Sequence, residues 1–411
     1  MPGSPRTGAI IVSLEYWVFD ASRCNFPKPR VPLLSSVFEC FEDGESKVKP
    51  RLDGGVLHFS RGRYALGEAY RLAKLDGSGA LMAPAYHCVT MLDPALAMGA
   101  EVVLYPLNAD LTPDRYRLDE VYKQSVKPVR VMVATHFFGF IQDFSWLRQW
   151  CEEKAIVLVE DCAHVLFTER DQARGAGKFG KFVASSPYKF FPSPDGGFLY
   201  APDARRLDGV GIQSAGFLSE LRGIKRSAEI SREPKIRKPD IDQIDKLLDS
   251  IISKIPEPGN DRVLQRPAQS TRYSADLVRT ASLRSSRWVI NHSSISGNVC
   301  RRQANYRCWL KALSDVPNCH VLYPQLPEHV VPYMLPLYVD FPNPHFYWLK
   351  QLGVPIWRWD EMAVSDCQVA HDHRLHLLHL PCHQSLTGDE MNWMIAAVTK
   401  VLSLFKEEAR G

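Results

Sequence analysis

The 411-residue chain predicts an α/β fold: a large domain on a mostly parallel central sheet flanked by helices, then a smaller C-terminal α+β domain. Two observations carry this. Between Ala65 and Tyr200, short apolar runs alternate with amphipathic segments, the pattern of strand–helix crossovers. From Arg301 a regular pattern returns after a polar, proline-interrupted stretch. The expected division is an N-terminal segment 1–54 of unclear role, a large domain 55–295 with an irregular helical region at 203–295, and a small domain 296–411.

The elements follow in order. Pro27, Pro29 and Pro32 break any regular element near the N-terminus. Ala65–Lys74 reads as a helix, and Ala80–Ala83 as a short apolar strand ended by Pro84. Val89–Met98 reads as a helix with Gly99 as its C-cap. Strands are expected at Glu101–Tyr105, Val129–Thr135 and Ile156–Glu160, with helices Leu118–Val126 and Phe144–Lys154 between them. Lys181–Ser185 and Gly197–Tyr200 are two further strands. Pro234, Pro239, Pro256, Pro258 and Pro267 interrupt the next region, where helices are expected around Ile241–Lys254 and Tyr273–Ser285. Then come a helix Arg301–Leu313, a strand Tyr333–Asp340, a helix Phe346–Leu352 ended by Gly353, and a terminal helix Gly388–Leu404.

Composition narrows the function classes. Apolar residues are 45% and charged residues 23%, ordinary values for a globular protein. A net charge of +4 gives no nucleic-acid footprint, and the basic stretch Arg222–Arg237 reads as a solvated segment. Ten cysteines without a C-x-x-C pair read as reduced thiols, and no metal centre is expected. The apolar stretch Ala9–Leu14 is too short for a signal core. No run approaches the roughly 20 apolar residues of a membrane helix. A cytoplasmic protein without nucleic-acid or membrane partners is expected.

The chemistry concentrates between Glu160 and Gly197. Asp161 ends an apolar strand, and Lys189 follows Ser186 by three residues between Tyr188, Phe190 and Phe191. A lysine in apolar surroundings favours the free amine that forms an imine, and a carboxylate can pair with a protonated pyridine nitrogen. Together they suit a pyridoxal phosphate site. The bland alternatives are a snorkelling loop lysine and an aspartate capping the segment from Cys162. The Asp-x-Ala-His pattern at 161–164 favours function. Glu160 is expected to face the other way. Asp161, His136 and Pro84–His87 all lie just past apolar strands, the edge where such sheets bind ligands.

These residues resemble the DegT/DnrJ/EryC1/StrS aminotransferases, the sugar aminotransferase branch of fold-type I pyridoxal phosphate enzymes. Ser60-Arg61-Gly62-Arg63-Tyr64-Ala65-Leu66 is similar to the family's Gly-Thr-x-Ala-Leu segment, with Arg63 where Thr or Ser is usual. The resemblance implies that this helix start, with Gly62 and Arg63, holds the cofactor phosphate, as helix N-termini do. Ser186 suits a phosphate oxygen, with Ser185 its competitor, and a turn-forming pair is the plain alternative. The resemblance places His164 beside the cofactor ring near its phenolic oxygen; a satisfied core histidine is the alternative. Pro84-Ala-Tyr-His-Cys88 is similar to Pro-Ala-Tyr-Thr-Phe, whose aromatic stacks on the ring. Cys88 cannot stack, so His87 is expected to take over, with Tyr86 or plain loop packing as alternatives. Thr135–Gly139, Gly175–Gly180, Asp195–Gly197, Arg301–Tyr306 and Leu380–Gln384 support the alignment, with Lys181 standing where Asp is usual.

The resemblance implies an aminotransferase with Lys189 and Asp161 as catalytic residues. The donor would be an amino acid, glutamate above all, and the acceptor a keto group on a nucleotide-linked sugar of polysaccharide or antibiotic synthesis. It also implies a homodimer. The family's Gly-x-Asn-x-Arg-Met segment is missing from 203–295. That departure keeps two alternatives open: another pyridoxal phosphate reaction (dehydration, elimination or condensation), and a non-catalytic sensor or assembly protein. Trp357-Arg358-Trp359 suits either a sugar or acidic ligand, or a buried corner with a salt-bridged arginine.

Overall fold

The computed structural model describes residues 14–19, 24–36, 38, 52, 54–167, 175–232, 241–252, 261–265 and 272–404. The stretch 9–13 and the five prolines between 234 and 267 lie outside them. The strands are β1 (Glu15–Phe19), β2 (Gly55–Phe59), β3 (Ala80–Pro84), β4 (Glu101–Tyr105), β5 (Val129–Thr135), β6 (Val157–Cys162), β7 (Phe182–Ser185), β8 (Gly197–Ala201), β9 (Asp261–Gln265), β10 (Cys319–Val321), β11 (Met334–Val339), β12 (Met362–Ala363) and β13 (Leu377–Pro381). The helices are α1 (Gly62–Leu72), α2 (Asp93–Ala97), α3 (Leu118–Gln124), α4 (Ser145–Glu153), α5 (Phe217–Ser231), α6 (Asp242–Ile252), α7 (Arg284–His292), α8 (Ile295–Leu313), α9 (Pro342–Leu352), α10 (Gln368–His376) and α11 (Gly388–Leu402).

The main sheet runs β2-β8-β7-β6-β5-β3-β4. Every pairing from β7 to β4 is parallel, and β8 is antiparallel to both its neighbours. Both faces are buried, which is why its strands read as apolar runs. Val131, Val133 and Val159 enter the core with α1, whereas Met132, Ala134 and Leu158 enter the core with α4. By this alternation Thr135 and Asp161, Cα partners across β5 and β6, lie on the α1 side. Glu160 faces the other side. It accepts hydrogen bonds from the backbone N–H groups of Gly177, Phe179 and Gly180, so the glycine-rich turn at 175–180 wraps this carboxylate.

The start of α1 presses on β8. A Cβ on Gly197 would lie 2.4 Å from the Arg61 carbonyl carbon and 2.6 Å from the Gly62 nitrogen. Those are backbone atoms, so relief requires moving the helix. Gly197→Ala is expected to cost about 3 kcal/mol, the upper end for overpacking. A urea midpoint equal to that of wild type would show that α1 stands further from β8.

The C-terminal part has an antiparallel sheet β10-β11-β13. Its core includes Tyr306 and Trp309 of α8, Trp348 of α9 and Trp393 of α11. A third sheet, β12-β1-β9, ties the N-terminal segment in. That segment also strokes the C-terminal part: Gln351 Nε2 donates to the Cys24 carbonyl at 2.6 Å, and His383 Nε2 lies 2.9 Å from the Pro32 carbonyl.

Three expectations are corrected. Tyr273–Ser285 is not a helix; a single 3-10 turn at Ala275–Leu277 precedes extended chain. The reason is that its backbone bonds elsewhere: Thr280 O accepts from Ser60 N at 3.0 Å, and Ala281 N donates to Gln213 O at 2.8 Å. Val89–Met98 divides into a 3-10 turn Val89–Met91 and α2, since Pro94 has no N–H to continue the ladder. The helix expected at Arg301 starts at Ile295, capped by Ser294 Oγ on Gly297 N at 3.0 Å. The strands β1, β2, β9, β10, β12 and β13 and the helices α5, α7 and α10 were not anticipated. No helix among the described residues is long and apolar enough to cross a membrane, and the nine described cysteines are free thiols.

Candidate active site

The carboxyl ends of β5, β6 and β7 open into a cavity of about 780 Å³. Thr135, Asp161 and Ala184 form its floor, one residue from each strand. Asp161 is buried, and its Oδ1 accepts the Ala163 N–H at 2.9 Å. Burial pushes its carboxyl up, against the opposing pull of Lys189. A carboxylate so placed needs a cationic partner from the cavity. The Thr135 hydroxyl is also buried there without a hydrogen-bond partner among the described residues.

Lys189 ends a one-turn 3-10 helix, Pro187–Lys189, which Pro187 starts. Its Nζ lies 5.3 Å from the centre of the Tyr333 ring. Tyr333 in turn stacks on His164, with ring centres 4.4 Å apart. His164 Nδ1 accepts the Phe138 N–H at 3.3 Å, which leaves Nε2 as the protonated nitrogen of the neutral ring. Burial, then Lys189, push its pKa well below the ordinary histidine value, so the ring is neutral.

At another wall α1 begins with no side-chain cap on its free N–H groups. A Cβ on Gly62 would stand 2.1 Å from Ser186 Oγ. Glycine therefore keeps a cradle open between the helix start and that hydroxyl. Ser186 Oγ has no hydrogen-bond partner among the described residues, whereas Ser185 Oγ donates to the Cys162 carbonyl at 3.2 Å. The two serines are thus distinguished: Ser186 is free to meet a ligand and Ser185 serves the sheet. The Arg61 guanidinium lies over the Tyr188 ring at 4.5 Å, and Arg63 donates to the Arg272 carbonyl.

Pyridoxal phosphate fits these residues. The uncapped helix start, the Gly62 cradle and the Ser186 hydroxyl suit its phosphate. Asp161 suits its pyridinium, and Lys189 its aldehyde.

Residues 55–212 match the DegT/DnrJ/EryC1/StrS aminotransferase family. The chain carries a DegT/DnrJ/EryC1/StrS aminotransferase family domain. It is similar to the GDP-perosamine synthase of Vibrio cholerae, 25% identical over 132 residues, which are 32% of this chain and only 34% of that protein. It is also similar to the dTDP-4-dehydro-2,3,6-trideoxy-D-glucose 4-aminotransferase of Saccharopolyspora spinosa, 23% identical over 357 residues, 82% of this chain and 81% of that one. The fold is that of Bacillus subtilis NtdA, solved with its cofactor PMP bound, with a TM-score of 0.57 and 14% identity over 85% of this chain and 73% of NtdA.

Within this family domain one expected residue is misplaced. His87 does not line the cavity; it is fully buried beneath it. Its Nδ1 donates to the Pro84 and Ala85 carbonyls at 3.0 and 2.9 Å, and its Nε2 accepts the Ala363 N–H at 3.3 Å. Both nitrogens are committed to backbone, so the ring is a structural pin rather than a stacking face. Tyr86 turns inward as well, sharing a 2.9 Å hydrogen bond with His379 Nε2. Cys88 does reach the cavity, with its Sγ 3.2 Å from Thr90 Oγ1.

Arg358 combines both readings: it lines the cavity and is salt-bridged in a buried corner. It pairs with Asp360, donates to the Leu375 carbonyl at 3.3 Å and lies 3.7 Å over the Phe346 ring. Trp357 and Trp359 both line the cavity, and Trp357 is half exposed. Tyr333, His379, Arg61 and Arg272 also line it and were missed. Arg272 forms a 2.9 Å ion pair with Glu361. Behind the cavity wall, Arg302 occupies the buried stripe of α8 with Asn298, Tyr306, Trp309 and Leu313, and its Nη1 donates to the Tyr333 carbonyl at 3.1 Å.

Proposed function

We propose that this chain is a pyridoxal phosphate-dependent aminotransferase that moves an amino group from an amino acid, with glutamate the leading donor, to a keto group on a nucleotide-linked sugar. The observation that carries the reading is the convergence of Lys189, Asp161 and the Gly62–Ser186 cradle on one cavity inside a family domain of aminotransferases. The curated relatives it resembles bear the names of a perosamine synthase and a deoxysugar 4-aminotransferase, which supports the sugar substrate.

Each residue then has a task. Bound pyridoxal phosphate supplies an electron sink for the charge left at a substrate carbon. Lys189 would hold the cofactor covalently through its amine. Released by an amino donor, that amine would take the proton from the donor α-carbon and deliver it to the carbon on the far side of the imine nitrogen. Asp161 would face the ring nitrogen as a carboxylate and keep it protonated. His164, neutral, offers its Nε2–H beside the ring. Gly62, Arg63 and Ser186 would hold the phosphate at the start of α1. Tyr333 packs beneath the Lys189 amine and limits water there.

The domain roles and assembly belong to the same proposal. The sheet domain, 55–295, would hold the cofactor, and residues 296–411 would close over the substrate. A homodimer is supported by the family's habit and by the exposed apolar side chains that open α5, Phe217 at 75% and Leu218 at 66%, and a cytoplasmic location by the free thiols of the described cysteines.

The test follows the visible spectrum of the purified chain loaded with pyridoxal phosphate. Addition of glutamate is expected to bleach the lysine-bound band in a single turnover, and a nucleotide-linked keto-sugar to restore it. A loaded protein whose band survives every amino donor would be running another reaction. A protein that takes up no cofactor would be a sensor or assembly protein on this fold.

A further inference from the structure

Lys189 sits on one turn of 3-10 helix, an element with little stability of its own. What fixes its direction is therefore whatever holds the carbonyls around it. Those carbonyls are held from α8. Arg302 Nη2 donates to the Lys189 carbonyl at 3.4 Å, and Nη1 to the Tyr333 carbonyl at 3.1 Å and the Pro332 carbonyl at 3.3 Å. Its Nε donates to Asn298 Oδ1 at 2.7 Å and Gln384 Oε1 at 3.1 Å. The same two amides secure the next residue: the Phe190 carbonyl accepts from Asn298 Nδ2 at 3.1 Å and from Gln384 Nε2 at 2.7 Å.

Arg302 is fully buried, and among the described residues it has no ion pair with a carboxylate. Burial pulls its pKa down to about 10. An unpaired buried guanidinium is costly, and an apolar residue would serve packing alone at lower cost. The expense makes sense where a planar fork of donors must hold several carbonyls in fixed relation.

We propose that Arg302 is a positioning residue: one guanidinium grips the backbone at Lys189 and at Tyr333, and so sets the reactive amine against Asp161. The inference rests on the reading of Lys189 as the reactive amine. It makes α8, outside the matched family domain, a determinant of that amine.

The test compares Arg302→Met, Arg302→Lys and Asn298→Ala with wild type. In the cofactor-free protein, acetic anhydride labelling of Lys189 is measured by peptide mass against Lys181 and Lys154. Loss of the grip is expected to raise Lys189 labelling roughly fivefold in Arg302→Met, the effect of about 1 kcal/mol of local opening, with partial rescue in Arg302→Lys. In the loaded protein, the pH midpoint of the visible band is expected to move in the same order. Asn298→Ala, which keeps the guanidinium and its Nε bond to Gln384 but removes the second acceptor, is expected to give a smaller shift of the same sign. Labelling and midpoint unchanged in Arg302→Met would overturn the proposal. So would equal gains at Lys181 and Lys154 in every variant, because the residue would then serve the whole fold. If wild type binds no cofactor, the functional reading fails, and the labelling comparison still decides the role of Arg302.

Discussion

Replacing Asp161 by asparagine is expected to slow the half-reaction with an amino donor about a thousandfold, the scale of losing one preorganised electrostatic group. Asparagine keeps the size of the side chain and can still accept the Ala163 N–H, so the fold is retained. What disappears is the negative charge that holds the ring nitrogen protonated. Lys189→Ala is expected to lose roughly ten-thousandfold, the upper range for general acid–base catalysis, and also the borohydride-fixable bond. Stopped-flow absorbance with saturating donor checks both. An Asp161→Asn rate within tenfold of wild type would remove Asp161 from the mechanism. A covalent bond that survives in Lys189→Ala would assign the cofactor to another lysine. The two variants are not expected to add, because they act on the same transition state.

Acid is expected to destabilise the protein through histidines buried in neutral form. Burial holds His379 and His383 at about 3, with Lys189 and Arg302 adding to the effect. Both lie below the unfolded value of about 6.5. Between these values the unfolded chain binds protons that the folded chain refuses. Stability is therefore complete above the unfolded value and falls as pH drops toward the folded one. Each of these two histidines is expected to cost about 2 kcal/mol at pH 5, about 4 kcal/mol together. Asp161 and Asp195 run the other way, since burial raises their carboxyls and the native chain takes up those protons first. A single variant isolates the histidine effect. His383→Gln can still donate toward the Pro32 carbonyl and has no titration. The stability it loses between pH 7.5 and 5 is expected to be about 2 kcal/mol less than in wild type. Urea midpoints at the two pH values check this, and parallel losses in both proteins would show that His383 charges within the fold.

Arg302 and the His379–Tyr86 pair bear on the same cavity through two of its lining residues, Lys189 and His379. One holds the reactive lysine by its backbone. The other closes a wall with a buried, neutral polar pair. Arg302 and His379 come from the C-terminal part of the chain, whereas Tyr86 belongs to the Pro84–His87 strand end.

The sequence by itself determined what local order can encode. Apolar runs of strand length at 129–135 and 156–160 follow from burial on both faces of a parallel sheet, and the structure has β5 at Val129–Thr135 and β6 at Val157–Cys162, which carries the strand on through Asp161. Asp161 and Lys189 were legible as a pair from the Asp-x-Ala-His and Ser-x-x-Lys patterns and the family resemblance, while the adjacency of their strands β6 and β7 came from the sheet order. Gly62 and Gly197 were readable as motif members, though not the reason they are glycines, which is a close approach between segments far apart in the chain. Only the tertiary structure decided which way His87 turns, which of the two serines that line the cavity spends its hydroxyl on the sheet, and what grips Lys189. Those outcomes depend on hydrogen-bond partners such as Ala363, Cys162 and Arg302, supplied by other elements. Periodicity is a property of neighbouring residues, whereas a side chain's direction is settled by whichever distant group can satisfy it in the packed interior.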